Sequence, residues 1–324
     1  MVRAITVYYP EQDIDAVAPY PWTFRMTESD TTVECVTLIN SYKGFRVGPD
    51  WNCRHRIRSI HGCVLRYGFY VDGTVEIGRI ENCQIHPHWW SKPSVGGDWQ
   101  KAVAYTAEHL ECFVMARTDW EYITNNFMFS AKIGYKFIRT EKGQFNGHLT
   151  GCGADGSQTA LWFESLQRMG VLITGGEFVS LAGDDPCQVR VLESVKQGCI
   201  RFVNTAFWGL PNRVADLRGS AYVSFNDCYF TNWREGVDDS PLLQVHNGRV
   251  QVVNSTFDTH HPAVLLGPDV KHALIQGNCG CNGVQVDDQT GGHAILRDNE
   301  APVTPDAVRK FSITGRPSPD EQES

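Results

Sequence analysis

Residues 200–230, IRFVNTAFWGLPNRVADLRGSAYVSFNDCYF, hold one complete structural repeat and the beginning of the next. Within them FVNTAF (202–207) and FNDCYF (225–230) share a pattern: an apolar residue opens the unit, a turn residue stands third and an aromatic residue closes it. Gly, Asn and Asp tolerate a left-handed backbone, so the pattern predicts a tight bend between two short strands. A further short strand, VADLR (214–218), separates the two units.

The same six-residue unit recurs along most of the chain. Its third place is held by Asn82, Asn125, Gly175, Asn204, Asp227 and Asn254. The separating strand recurs as well, for example as FYV (69–71), IGYKF (133–137) and ALWFE (160–164). Several short strands in each repeat of about 20–30 residues predict a solenoid. We therefore expect an all-β fold, a single-stranded right-handed parallel β-helix of about ten coils.

One segment has a helical pattern, residues 98–110 (DWQKAVAYTAEHL), with Asp98 as its N-cap. We expect this helix to lie in an insertion, residues 86–111, that interrupts the coils. The β-helix domain is predicted to span residues 1–303, and a polar, proline-containing tail to occupy residues 304–324.

The composition of the 324-residue chain argues against several functional classes. The 29 basic and 37 acidic residues give a net charge of −8, and no basic run suits a nucleic-acid partner. No stretch approaches the roughly 18 consecutive apolar residues of a membrane span, so no membrane partner is expected. The 11 cysteines are scattered without a CxxC pair. We expect mostly buried thiols and no metal site.

The strand–Asn–strand units resemble the pectate-lyase-like β-helix superfamily. The segments that carry the resemblance, between about residues 5 and 285, are GRIENCQI, ARTDWEYITNNFMFSAKIGYKF, GCGADGSQTA, GEFVS, FVNTAFWG and LGPDV. The resemblance implies a carbohydrate-active protein, extracellular or periplasmic, that acts on a polysaccharide or oligosaccharide as a monomer or homotrimer. The GDGxxDDTxAIQxA-type opening of such proteins has no match, and the first 25 residues lack the apolar centre of a signal peptide. We therefore expect a fragment or a mature form.

Alternation along the recurring strand predicts an outward-facing strip of mixed charge. If Leu161 and Phe163 point inward, Trp162 and Glu164 point outward. The residues of this strip expected to bind substrate are Arg117, Lys136, Trp162 and Arg190. Arg117 belongs to the strip only if its strand keeps the register of ALWFE. Stacked coils lie about 4.8 Å apart, so the strip would be continuous; alternatively, it is the ordinary mixed charge of a solvated sheet.

Acidic residues flank the middle of the strip. Asp155 precedes ALWFE, Glu164 ends it, and Asp184 and Asp185 lie in the turn AGDDP. Glycosidic hydrolysis uses two carboxyl groups roughly 5–9.5 Å apart, one as acid and one as base or nucleophile. We therefore predict a glycoside hydrolase in which Glu164 acts with Asp155, Asp184 or Asp185. The Gly-Asp-Asp at 183–185 resembles a polygalacturonase motif, whose NTD, GHG and RIK companions are missing, and GDDP is also an ordinary turn.

The loop HPHWWSKPSVGGDW (86–99) is a second candidate for substrate binding. Trp89 and Trp90 are expected to stack on sugar rings, with His86 and His88 beside them. The alternative is that both tryptophans pack beneath the helix as a lid on the solenoid. Two histidines without a third ligand do not predict a metal site.

Other functions stay open at this point. A polysaccharide lyase would use Arg or Lys as base together with Ca²⁺ held by carboxylates, whereas the hydrolase needs no cofactor. A glycan-binding solenoid without catalysis and a trimeric structural solenoid of the tailspike type are the remaining classes. The turn RTDWEY (117–122) offers Asp119 and Glu121 as another acid–base pair, because both would point the same way if the backbone is extended. The alternative is that Asp119 bonds to its own backbone in a tight turn.

Overall fold

The computed structural model describes residues 1–232 and 240–302. These residues form a right-handed parallel β-helix of about 11 turns, which confirms the predicted fold. The predicted tail at 304–324, and residue 303 at the end of the predicted domain, lie outside the described residues.

The strands are short and follow one another around the coils. In the first half of the chain they are β1 (Val2–Val7), β2 (Trp22–Met26), β3 (Thr32–Val47), β4 (Arg56–Val71), β5 (Gly78–Glu81), β6 (Gln84–Ile85), β7 (Glu111–Met115), β8 (Glu121–Thr124), β9 (Phe127–Phe137), β10 (Arg139–Thr140), β11 (Gly143–Gln144), β12 (Gly147–Thr150) and β13 (Gly153–Phe163). In the second half they are β14 (Val171–Thr174), β15 (Glu177–Ser180), β16 (Cys187–Val191), β17 (Cys199–Val203), β18 (Ala206–Gly209), β19 (Arg213–Leu217), β20 (Tyr222–Asn226), β21 (Tyr229–Thr231), β22 (Leu243–Val253), β23 (Thr256–Asp258), β24 (Val264–Gln276), β25 (Cys279–Gly280), β26 (Val286–Asp288) and β27 (Ala294–Arg297). The helices are α1 (His88–Ser91) and α2 (Trp99–His109).

Each coil presents three faces. The first face contains β5, β8, β12, β14, β17 and β20; the second contains β6, β15, β18, β21 and β23; the third contains β2, β7, β16 and β19. The longer strands β3, β4, β9, β13, β22 and β24 bend from one face to another. In the described part of the chain every strand pairing is parallel except that of the small hairpin β10–β11.

A left-handed residue marks the bend between the first and second faces in every coil. All six residues at the predicted third place have φ between +48° and +62°, which confirms the predicted bend. The same conformation occurs at the equivalent place of the other coils, held by Ala4, Cys35, Ser59, Gly151, Gly277 and Asp298. The residue after the bend ties the coils together. Asn126, for example, accepts a hydrogen bond from the Cys83 amide and donates one to the Ile80 carbonyl, both at 2.8 Å.

The closing aromatic residues of the repeat form a stack inside the solenoid. Phe178, Phe207, Phe230 and Phe257 are each at most 1% exposed. Successive ring centroids lie 5.8, 5.3 and 4.8 Å apart. Burying one such side chain stabilises a fold by roughly 1.5–3 kcal/mol, so the stack is a large part of what holds the coils in register.

The insertion carries both helices. The Asp98 side chain accepts a hydrogen bond from the Lys101 amide at 3.0 Å, so α2 begins where the sequence predicted. Thr106 donates to Ser130 at 3.0 Å, which fixes α2 over the corner between the second and third faces. Strand β7 begins at Glu111, where the coils resume after α2.

The cysteines agree with the expectation of mostly buried thiols. All 11 cysteines are free thiols, and Cys63, Cys83, Cys112, Cys152, Cys187 and Cys228 are buried. Among the residues described, no helix is long and apolar enough to cross a membrane.

Candidate functional site

The outward positions of the third face form the strip that alternation predicts. Trp162 stands in register with Lys136 in the preceding coil and with Arg190 in the following one. Asp216 continues the same row after Arg190. Because parallel strands are about 4.8 Å apart, these side chains are immediate neighbours along the solenoid.

Arg117 does not keep the register of the strip. Val114, not Arg117, stands opposite Lys136 in the neighbouring coil. Strand β7 ends at Met115, and beyond it the Arg117 guanidinium pairs with Asp119 at 3.5 Å. The register of FVMAR (113–117) is therefore shifted by one residue relative to ALWFE (160–164). Arg117 faces a loop rather than the strip.

Glu164 lies just past the end of β13 and is held by its neighbours on the strip. The Trp162 indole donates a hydrogen bond of 3.0 Å to Oε1 of Glu164, and the Lys136 ammonium lies 3.3 Å from the same oxygen. Lys136 also pairs with Glu111 at 3.2 Å. Burial acts to lower the pKa of Lys136, but the charges of Glu111 and Glu164 outweigh it and raise that pKa. Lys136 is therefore protonated at neutral pH.

Asp216 is the centre of a cluster of cations that the sequence did not reveal. Its carboxylate lies 3.0 Å from Arg218, 3.6 Å from Arg190 and 3.8 Å from Arg213. His246 lies 3.4 Å away, and the Asp216 side chain is only 5% exposed. Strand alternation alone places Asp216 outward, in the row of Arg190, but it does not indicate that side chains from three coils converge on it.

Asp185 belongs to this cluster and not to the surroundings of Glu164. It pairs with Arg190 at 2.6 Å and with Arg213 at 2.7 Å. Partial burial acts to raise the pKa of Asp185, but the hydrogen bond and charge of Arg190, with the charge of Arg213, lower it. Asp185 precedes β16, whereas Glu164 follows the neighbouring β13, so the two carboxyl groups lie at opposite ends of adjacent strands. Asp184 shares the exposed turn with Asp185.

Asp155 lies on the second face, where β13 has not yet bent toward the third. Gly153, two residues earlier on the same strand, stands opposite Glu177 of the next coil, so the Asp155 and Glu177 carboxyl groups are neighbours on this face. Burial raises the pKa of Asp155. Burial and the nearby Asp155 charge raise the pKa of Glu177, against a hydrogen bond from the Trp208 side chain. The structure therefore does not bring Asp155 together with Glu164.

His86 and His88 of the insertion also lie over the second face. His86 stacks on Phe129 with ring centroids 4.8 Å apart and on Trp99 at 5.5 Å. Burial, together with the charge of His88, lowers the pKa of His86. The rings of His86 and His88 are 6.1 Å apart. No group of three or more His, Cys, Asp or Glu side chains arranged for a metal ion occurs among the described residues.

The two adjacent tryptophans of the insertion are used for packing. Trp90 is 6% exposed and packs with Leu65 and Ala102 in a small apolar cluster under α2. Trp89 is half-buried against His61, with ring centroids 5.4 Å apart. The lid alternative thus describes Trp90, whose indole face is not open to a sugar. Trp99, 40% exposed, is the accessible indole of this loop.

The acids of RTDWEY point in different directions. Glu121 is fully buried, and its Oε1 lies 2.9 Å from Nε2 of the equally buried His55. The Asp119 side chain is 51% exposed and pairs with Arg117. The backbone is not extended at this turn, so the condition under which both acids would face one side is not met. Only Asp119 is accessible to a ligand.

A cavity of about 410 Å³ opens on the third face beside Glu164. Its lining residues are Trp162, Arg190, Val191, Leu192, Glu193, Ser194, Asp216 and Arg218. Glu193 follows β16 much as Glu164 follows β13, so the two acids lie at the same end of adjacent strands. Ser194 links them by donating a hydrogen bond of 2.8 Å to the Glu164 carbonyl.

Sequence reasoning missed Glu193 because it lies one residue beyond the strand pattern. A signal was present in the repeat itself. Phe163 pairs with Val191 in the next coil. Glu164 directly follows Phe163, and Glu193 is two residues after Val191, so the two acids lie close together. That comparison requires the register of the coils, which the irregular repeat length hides.

Comparison with known proteins finds no matching family model, no matching curated protein and no matching solved structure.

Proposed function

We propose that the protein is a carbohydrate-active enzyme, a glycoside hydrolase that binds a polysaccharide along the third face and cleaves it at the cavity beside Trp162. The observation that carries this proposal is the content of that cavity. An indole, two guanidinium groups and the carboxyl group of Glu193 line it, and Glu164 is hydrogen-bonded to the indole. Sugar recognition uses ring stacking and convergent polar groups of this kind.

Substrate binding is assigned to the floor of the cavity. The Trp162 ring offers a flat apolar surface for the CH face of a sugar, and its hydrogen bond to Glu164 restrains its orientation. Arg190 and Arg218 are aligned by Asp216 and can donate to hydroxyl or carboxylate groups. Asp216 is therefore a positioning residue, and its nearly complete burial keeps it away from substrate.

The two carboxyl groups at the rim supply the chemistry. The Lys136 ammonium and the Trp162 indole hold Glu164 in one orientation at the rim, and we assign it the role of base or nucleophile. Glu193 has no ion pair within 4 Å in the part of the chain that the structure describes, and a bound ring would remove water from it. We assign proton donation to Glu193, the member of the two that has no cationic partner among the described residues. Adjacent coils are about 4.8 Å apart, a spacing that allows the roughly 5–9.5 Å between carboxyl groups that hydrolysis uses.

The protonation of the cations favours hydrolysis over elimination. Burial acts to lower the pKa of Lys136, but the charges of Glu111 and Glu164 raise it. Burial likewise acts to lower the pKa of Arg190, but the charge of Cys187, together with Asp185 and Asp216, raises it. The hydrogen bond to Asp216 and its charge raise the pKa of Arg218. A lyase needs one of these groups as a neutral base. Charged partners hold all three in the cationic form, which binds substrate but does not abstract a proton.

The proposal is tested by incubating the protein with a panel of neutral and acidic polysaccharides and weighing the products by mass spectrometry. Hydrolysis predicts fragments whose summed mass exceeds that of the parent by one water per cleavage. Unsaturated fragments of unchanged summed mass would show elimination instead. Retention of a glycan without any fragment, across the whole panel, would favour the non-catalytic glycan-binding class.

A further inference from the structure

A second and larger groove, of about 820 Å³, lies on the outer side of the first face. Four cations, Arg168, Arg201, Arg249 and Lys271, line it, and no Asp or Glu does. Within residues 1–232 and 240–302, none of the four has a carboxylate partner within 4 Å. The chain as a whole carries a net charge of −8, so the groove has the opposite sign to the rest of the molecule.

Two aromatic rings, those of Trp120 and Tyr222, line the groove together with these cations. The Trp120 indole donates to Nδ1 of His148 at 3.3 Å, and the Tyr222 hydroxyl donates to the side-chain carbonyl of Gln251. The Arg201 guanidinium lies 5.8 Å from the centre of the Tyr222 ring. Both rings are therefore held in place before any ligand arrives, which lowers the entropy cost of stacking on them.

The charges recur along the axis of the solenoid. Arg201 is on β17, in register with Ser224 of β20. Arg249 is on β22, in register with Tyr222 of the same strand β20. Lys271 follows on β24, one coil further. Three steps of about 4.8 Å spread these cations over roughly 15 Å. That length suits an extended chain with repeated anionic groups better than a single small anion.

We infer that this groove binds an anionic polysaccharide, with sulfate or carboxylate groups on the cations and sugar rings on Trp120 and Tyr222. Gln197, Ser220 and Asn247 also line the groove and supply neutral hydrogen-bonding groups for hydroxyls. The lining shares no residue with the cavity on the third face, so this inference does not depend on the proposed hydrolysis.

The test uses three polymers that share one backbone: dextran, carboxymethyl-dextran and dextran sulfate. Affinity of the intact protein for each is measured by titration calorimetry at low salt and at ~0.15 M salt. We expect binding to one or both charged polymers, weakening with salt, and no binding to dextran. The charged polymer that binds more tightly identifies carboxylate or sulfate as the preferred group. Single-stranded oligothymidylate is included as an anionic polymer whose charges are backbone phosphates and not sulfate or carboxylate groups on a polysaccharide.

A pair of double variants assigns the binding to the groove. Arg201→Glu with Arg249→Glu should weaken binding by roughly tenfold or more. Arg25→Glu with Lys132→Glu makes the same change in net charge at exposed positions elsewhere and should leave affinity within about twofold. Equal losses in the two double variants, or none in the first, would overturn the assignment to this groove. Tight binding of dextran itself, or binding of oligothymidylate alone, would overturn the ligand class.

Discussion

The indole Nε1 of Trp162 donates a hydrogen bond of 3.0 Å to Oε1 of Glu164, two positions further along the chain. Residues at i and i+2 of a strand point to the same side, so the third face presents the ring and the carboxylate together. Lys136 reaches the same carboxylate oxygen from the preceding coil at 3.3 Å. In the proposed enzyme, the side chain that stacks on the sugar thus also orients the catalytic carboxylate.

Two substitutions at Trp162 separate these roles. Trp162→Ala removes the ring and should lower affinity for the cleaved polysaccharide by about tenfold, since an aromatic contact and its buried area are lost. Trp162→Phe keeps a ring but removes the N–H donor, so affinity should change little while turnover falls. Oligosaccharide binding and initial rates measured on both variants check this. Equal effects of the two substitutions on affinity would show that the ring does not contact substrate.

The Asp216 cluster predicts that two Asp→Asn substitutions lower the free energy of unfolding by different amounts. Asp216→Asn leaves several cations around a nearly buried site without their counter-charge and should destabilise the protein by about 3 kcal/mol. Asp185→Asn, at a side chain 46% exposed, should cost about 1 kcal/mol or less. Urea unfolding of the two variants provides the comparison. If Asp185→Asn proved the more costly, Asp216 would not be the centre of the cluster.

The Asp155–Glu177 pair predicts a pH-dependent stability. Burial raises the pKa of Asp155 above its ordinary value of 3.8, so the folded state holds the proton more tightly than the unfolded state. This stability is fully present below pH 3.8 and is lost as pH rises through the raised pKa. Asp155→Asn should therefore match the wild type at low pH and become the more stable of the two toward neutral pH. Urea titrations at several pH values check it; a gap that widens toward low pH instead would contradict the sign.

The fold was predictable because one local rule repeats. Asn204 and Asp227 stand at the same place of successive units, and a left-handed residue at that place is recognisable from residue type alone. The outward position of Trp162 and Glu164 followed from alternation, which is equally local. Details that depend on contacts between coils did not follow. The burial of Glu121 against His55 joins residues 66 positions apart, and nothing in RTDWEY announces it.

The bend residues themselves allow a stability test. Asn204 has φ +48°, a conformation that β-branched side chains disfavour. Asn204→Val should cost about 1–2 kcal/mol, and Asn204→Gly should stay within about 0.5 kcal/mol of the wild type. Asn226→Val, the same substitution at the end of β20, is the matched control and should cost less. Urea unfolding of the three variants measures the differences. Equal costs at the two positions would mean that the bend imposes no requirement on its residue.

The candidate site was predictable in part because strand alternation is a local rule. Lys136, Trp162 and Arg190 share one row because the strand register is regular across these coils. The partners of the four acidic candidates were not predictable. Asp155 and Glu164 belong to one strand, yet that strand bends between two faces, and a single sequence does not show which side of the bend each acid occupies.

The central claim is that Glu164 takes part in glycosidic cleavage at the third face, and the turnover of Glu164→Gln tests it most directly. The substrate is the polysaccharide that the panel identifies, and Glu11→Gln, at an exposed glutamate near the amino terminus, is the matched control. We predict a loss of about 10²–10⁴-fold in turnover for Glu164→Gln, with stability within about 1 kcal/mol of the wild type and full activity of the control. Full activity of Glu164→Gln would contradict the account.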